Sequence, residues 1–233
     1  TVFCGKSMNL LAIDTSCSIL SAAVCHGEEV HYTETDAGIR HSELVMGCID
    51  SLMKKACLNV KNLEGVLCMR GPGSFTGLRI GYSIAKGLAL SHSIPFIAIP
   101  TLDCIAFSHQ ESCLLPSTIV HRVLPVIQAR KSSWFFSIYQ GEKCLFPPVD
   151  AVESQIAAEI MKNNEIYKND IILSGPGAVS LYASLPQKLK ESLIPVFETR
   201  GYAKELISIA KKNNLLDNNI GYLYSGPEYF KMG

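Results

Sequence analysis

The stretch RGPGSFTGLRIGYSIAKGLALSH, residues 70–92, sets glycines, a proline and hydroxyls behind an apolar run and ahead of a helical pattern. That is how a phosphate-cradling loop is built. A Walker-type loop needs GxxxxGK followed by Ser or Thr, so that backbone amides, a lysine and a hydroxyl converge on the phosphates. Counting from Gly71, the sixth residue is Thr76, and Gly77 is followed by Leu78 and Arg79, so neither register supplies the lysine. The dinucleotide frame GxGxxG fails too, because Gly71, Gly73 and Gly77 are spaced one residue too widely at the end. Gly71, Pro72, Gly73, Ser74, Phe75 and Thr76 therefore read as a structural loop. Pro72 fixes φ and Gly73 permits a positive φ, which makes a tight turn off a strand. Ser74 suits the N-cap, where its hydroxyl accepts from first-turn amides.

The helix that follows carries a second pattern. Gly77, Gly81, Ala85 and Ala89 fall on one face at intervals of four, with Leu78, Ile84 and Leu88 beside them. Each glycine inside a helix costs about 1 kcal/mol relative to alanine, which a sequence tolerates where something must approach the backbone closely. Two readings stand: the small face lies on the protein's own sheet or first helix, or it docks another protein's helices.

Other reactive side chains suggest little catalysis. Nine cysteines, an odd number, lie mostly in apolar runs with no CxxC, as buried reduced thiols do. There is no HExxH, no HxxxH and no GxSxG turn, so neither a metal site nor a serine nucleophile is expected. Trp134, the single tryptophan, lies in a strand pattern and is expected in the core. With 21 basic and 21 acidic residues the formal net charge is zero, against the basic excess of a bulk nucleic-acid binder. Apolar runs such as NLLAI and GVLCM are strand-length, too short for a membrane helix. No secretory signal pattern opens the chain, and a reducing, cytoplasmic setting is expected.

The elements that must position these residues follow from periodicity. Residues 1–7 read as a leader or an expression remnant before Met8. NLLAID is a buried strand, TSCS a polar turn, and ILSAAVCHG and EEVHYTET two further strands. A helix over 42–57 has Leu44, Val45, Cys48, Ile49, Leu52 and Met53 at spacings of three and four. The strand LEGVLCMR, the glycine loop, the helix to His92 and the strand IPFIAIP follow. A helix near 101–109 leads to a second hairpin, RVLPVIQA and SSWFFSIYQ, with Ala129, Arg130 and Lys131 as its turn. The proline-rich CLFPPVD leads to a helix near 152–162, the strand DIILSG, and a final helix over 203–212. Two α/β subdomains of similar plan are expected, 8–101 and 102–233.

The loop and helix RGPGSFTGLRIGYSIAKGLAL closely resemble the signature of the TsaB (YeaZ) family of bacterial tRNA threonylcarbamoyladenosine synthesis. MNLLAIDTSCSILSAAV is similar to the family's start, RHSELVMGCIDSLMKKACL to its first long helix, IPTLDCIA to the opening of its second half, and GPEYFK to its C-terminal Pro-x-Tyr. The resemblance is specific from Met8 to about Ala106 and weak beyond. It implies a two-lobed actin-like (ASKHA, ribonuclease H-like) α/β fold, with mixed sheets flanked by helices. It also implies a non-catalytic scaffold without cofactor or metal. Such a scaffold pairs with the catalytic paralogue TsaD and is joined by the ATPase TsaE. It would be a homodimer when alone and touch tRNA only indirectly, with no membrane. The first two helices form the interface in that family, which places Leu44, Cys48, Leu52, Gly77, Leu78, Gly81, Ile84, Ala85 and Leu88 in it.

The family's fold holds nucleotide between two phosphate hairpins and a glycine-rich adenosine loop. Here the first turn survives as a vestigial Asp14–Thr15–Ser16. In the second, the family's Asp-Ala-Arg-x-Gly reads Gln128–Ala129–Arg130–Lys131–Ser132, and an amide is neither a carboxylate base nor a charged magnesium ligand. LSGPGAVSLY retains two glycines of an adenosine loop. His41, where the family often has histidine, is either a remnant of a substrate site or a local cap or packing residue. The competing expectation is an enzyme in its own right, a peptidase or a weak ATPase.

Overall fold

Alternation decides the first strand. Met8–Asp14 (β1) is buried at every position but Asn9, so it must be covered on both faces. The computed structural model describes residues 8–111, 122–166, 171–216 and 226–227, and the seven residues read as a leader lie outside them. β1 turns back antiparallel into Ile19–Gly27 (β2), which pairs antiparallel with Glu29–Asp36 (β3). His41–Lys55 (α1) and a 3₁₀ turn at Val60–Asn62 lead to Gly65–Gly71 (β4), parallel to β1. Phe75–His92 (α2) then leads to Phe96–Pro100 (β5), parallel to β4. The sheet order is β3-β2-β1-β4-β5.

Leu11 and Ile13 of β1 join one core with Val45, Ile49 and Leu52 of α1 and Tyr82 and Ala85 of α2. Leu10 and Ala12, on the alternate positions, are equally buried. That face is covered by Ala203–Lys212 (α7), which packs on β1, β2 and β4.

After Thr101–Glu111 (α3), the second unit repeats the plan. Arg122–Arg130 (β6), Ser133–Gln140 (β7) and Lys143–Val152 (β8) form an antiparallel meander. Glu153–Ile166 (α4), Ile171–Ser174 (β9), Ala178–Ser184 (α5), Gln187–Lys190 (α6) and Leu193–Pro195 (β10) follow, with β9 parallel to β6 and β10 parallel to β9. The order β10-β9-β6-β7-β8 is the first sheet's order again.

Three expectations are corrected here. The segment read as a proline-rich connection is strand β8; it is an edge strand with a bulge where Pro147 and Pro148 stand opposite Ser137 alone, so the ladder tolerates their missing amides. The second hairpin turns at Lys131 and Ser132, because β6 continues to Arg130. The chain also divides differently from 8–101 and 102–233. One unit is Thr1–Cys104 with Arg200–Glu228, and the other holds Ile105–Thr199, because α7 returns to the apolar face of β1. Among the described residues no helix is long and apolar enough to cross a membrane.

Candidate functional site

The C-terminal end of β1 delivers a carboxylate into the interior. Asp14 is fully buried, with Thr15 and Ser16 almost as deep. Its Oδ1 accepts from the Ser16 amide at 2.9 Å and the Ser16 hydroxyl at 2.7 Å, and its Oδ2 accepts from the Tyr202 amide at 2.9 Å. Burial pushes the Asp14 pKa up; the Ser16 and Tyr202 hydrogen bonds and the neighbouring His41 pull against it without cancelling it. The carboxylate is thus engaged by three donors of its own chain.

The glycine loop wraps this turn. The Ser74 amide donates to the Ser16 carbonyl at 2.7 Å, and the Thr15 hydroxyl donates to the Gly77 carbonyl at 2.7 Å. Ser74 is the N-cap of α2, as expected, accepting from the Gly77 amide at 3.2 Å. The positive φ of the loop lies at Gly71, φ +110°, and not at Gly73. Gly73 is needed for proximity instead: a Cβ there would stand 2.6 Å from the Ser16 carbonyl oxygen.

The same proximity decides the small face of α2. A Cβ on Gly77 would collide with the Thr15 carbonyl oxygen, and one on Gly81 would stand 2.5 Å from the Thr15 hydroxyl. Gly77, Leu78, Gly81 and Ala85 are buried, as is Leu52 of α1. Their placement at a partner interface is corrected: glycine lets α2 back the 14–16 turn at backbone distance. Of the expected interface residues, Leu44, Cys48, Ile84 and Leu88 remain half-buried at the margin of the α1–α2 core. Phe75 is 52 % exposed, with the Arg79 guanidinium 3.9 Å from its ring centroid.

Sequence reasoning missed two glycines on the other side of these helices. Gly47 of α1 and Gly87 of α2 have nothing within 4 Å of a modest Cβ, and Met46 and Leu90 are exposed near them. The signal was available, since each carries the same helix penalty and neither is needed for internal contact. His41 opens α1 and is buried, with its Nε2 lacking a hydrogen-bond partner among the described residues; it packs and does not cap.

A strap that the sequence did not reveal completes the site. α7 has no cap of its own. The Gly201 amide donates to Glu34 Oε2 at 3.1 Å, that of Tyr202 to Asp14, and that of Ala203 to the Ser21 hydroxyl at 3.2 Å. Three strands thus cap one helix. Burial raises the Glu34 pKa, but the Tyr32 hydroxyl, the Gly201 amide and the charges of Arg200 and Lys204 outweigh it, and the net shift is downward.

In the second unit Gln128 is exposed and its amide donates to the Arg130 carbonyl at 3.3 Å. The two glycines of LSGPGAVSLY pack against β6: a Cβ on Gly175 would stand 2.6 Å from the Val126 carbonyl oxygen, and one on Gly177 2.8 Å from the Gln128 amide nitrogen. Trp134 is buried in the core as expected, its indole N–H donating to Ser180 at 2.8 Å. Ser174 and His109 share a 2.7 Å hydrogen bond, with Ser174 only 2 % exposed. Among the described residues no three His, Cys, Asp or Glu side chains gather in a metal-binding set.

The family model for TsaD, tRNA N6-adenosine threonylcarbamoyltransferase, matches residues 32–192. The chain is 26 % identical to the tRNA threonylcarbamoyladenosine biosynthesis protein TsaB of Haemophilus influenzae, over 97 % of this chain and 94 % of that one. It is 31 % identical to the protein of the same name from Bacillus subtilis, over 61 % and 59 %. The solved structure of YeaZ from Pseudomonas aeruginosa superposes with a TM-score of 0.74 at 21 % identity, covering 96 % of this chain and all of that one. A second structure, described as similar to peptidase YeaZ from the same organism, reaches a TM-score of 0.78 at 21 % identity, over 96 % and 100 %. These two likenesses, with the repeated sheet order, show that the chain has the YeaZ fold, two α/β units whose mixed sheets share one strand order.

Proposed function

The chain belongs to the TsaB (YeaZ) family, and from that premise we propose that it serves tRNA threonylcarbamoyladenosine synthesis as a catalytically silent assembly subunit. Its partner is a TsaD-like paralogue, with a TsaE-like ATPase joining the pair, tRNA met only through them, and a homodimer formed when the paralogue is absent. The work belongs to the cytoplasm. The observation that carries this reading is Asp14: the acid of the first phosphate turn is buried and engaged by Ser16 and Tyr202. A carboxylate so held is poorly placed to position a metal-bound phosphate. Gln128, in place of the second acid, points the same way.

The docking face consistent with the packing is the outer side of α1 and α2. Gly47 and Gly87 leave room for close backbone approach, flanked by Leu44, Cys48, Ile84 and Leu88. The competing reading, an enzyme in its own right, finds its best footing in Ser174 and His109. A hydroxyl 2 % exposed and hydrogen-bonded to a half-buried histidine is a structural pair, not an accessible nucleophile.

The test is size-exclusion chromatography of the chain with and without its TsaD-like paralogue, alongside ATP and peptide hydrolysis assays of the chain alone. Co-elution as a complex without intrinsic turnover is the expected result. Turnover lost in Asp14→Ala, or in Ser174→Ala, would overturn it.

A further inference from the structure

At the opposite edge of the first unit from the Asp14 turn, the 3₁₀ turn at Val60–Asn62 and the C-terminus of α2 border an open surface depression of about 570 Å³, lined by Asn59, Val60, Lys61, Asn62 and His92. Nothing in the proposed function uses it. Its ionisable lining groups are Lys61 and His92, both basic, and its other polar side chains are two amides. Among the described residues no carboxylate lines it.

Two of these groups are oriented in advance. Asn62 Oδ1 accepts from the Asn59 amide at 3.3 Å, which leaves its NH₂ group without a partner among the described residues. His92 Nδ1 lies 3.2 Å from the Leu88 carbonyl and 2.8 Å from the Ser91 hydroxyl, so Nδ1 carries the proton that the carbonyl accepts, and Nε2 donates only in the imidazolium form. At the end of α2 the Ala89 carbonyl accepts from Ile94 at 3.0 Å and that of Leu90 from Ser93 at 3.4 Å, so two of its last four carbonyls are engaged. An ammonium, an amide NH₂ and the Nε2–H of an imidazolium around one depression form a donor set for a tetrahedral oxyanion.

We propose that this depression is an oxyanion subsite that takes a phosphate group, with Lys61 supplying charge and the Asn62 NH₂ and the His92 imidazolium supplying directed hydrogen bonds. The phosphate comes either from a free phosphate compound or from a nucleic-acid backbone.

The experiment is a ¹⁵N–¹H NMR titration of the full chain with inorganic phosphate, against sodium chloride at matched ionic strength. A parallel arm uses a short single-stranded RNA. Saturable shifts at Asn59–Asn62 and His92 are expected, with a roughly millimolar Kd for phosphate, weakened roughly tenfold in a Lys61→Gln/His92→Gln variant that retains the wild-type spectrum elsewhere. Tighter binding of the RNA at the same residues assigns the site to backbone phosphate, and equal or weaker binding to a free phosphate compound. Shifts that chloride reproduces, shifts unchanged in the variant, or none with either probe would overturn the subsite.

Discussion

The Thr15 hydroxyl is held 2.7 Å from the Gly77 carbonyl, and the same oxygen would stand 2.5 Å from a Cβ on Gly81. One side chain therefore ties the first turn of the protein to α2 and forbids a side chain one helical turn further on. Gly81→Ala should gain the helix preference of about 1 kcal/mol and lose more to overpacking, which typically costs about 1–3 kcal/mol. Gly77→Ala, which meets a backbone carbonyl, should be worse. Urea denaturation of both variants checks the order; either variant more stable than wild type would refute the internal role. In a Thr15→Ala background the Gly81→Ala penalty should shrink, giving a coupling of about 0.5–3 kcal/mol.

The outer glycines should behave in the opposite way. Gly47→Leu and Gly87→Leu add their side chains to open space, so the isolated protein should melt at or slightly above the wild-type temperature. Affinity for the TsaD-like paralogue should fall roughly ten- to a hundredfold, read by calorimetry. Full-strength binding by both variants would place the interface elsewhere.

Asp14 sets a pH dependence whose sign is fixed by its raised pKa. A group that binds its proton more tightly when folded stabilises fully below its unfolded value, about 3.9, and loses that contribution as pH rises through the folded value. Glu34, lowered in the fold, acts oppositely and loses its contribution only as pH falls through its own folded value. In Asp14→Asn the Asp14 contribution is absent while Glu34 is unchanged. The melting temperature of wild type minus that of Asp14→Asn should therefore rise as pH is lowered from 7 towards 4. A flat or falling difference counts against a desolvated Asp14.

Thiol reactivity should follow burial. Burial pushes the Cys17 thiol up to about 12 and raises Cys68 and Cys104 as well, so all three should resist iodoacetamide in the native protein. Among the described cysteines Cys57 and Cys144 are exposed and should be alkylated first. Peptide mapping before and after urea denaturation reads this residue by residue; rapid native labelling of Cys68 would contradict the packing of the first sheet.

The sequence by itself determined what local periodicity and turn chemistry can encode. Within NLLAID the run LLAI is uninterrupted and apolar, so β1 had to be buried on both faces, and Ser74 before a helical pattern marked the start of α2. The repeated hairpins and the match of RGPGSFTGLRIGYSIAKGLAL to its family made the fold legible. Tertiary structure decided the rest, because it depends on what lies opposite in space. Pro147 and Pro148 argue against a strand until β8 is known to be an edge. α2 carries small residues on two faces, at Gly77 and Gly81 and at Gly87, and only the approach of Thr15 determines which face is internal. The hydrogen bond from Tyr202 to Asp14 joins residues 188 apart, and no local pattern records that the final helix is capped by the first three strands.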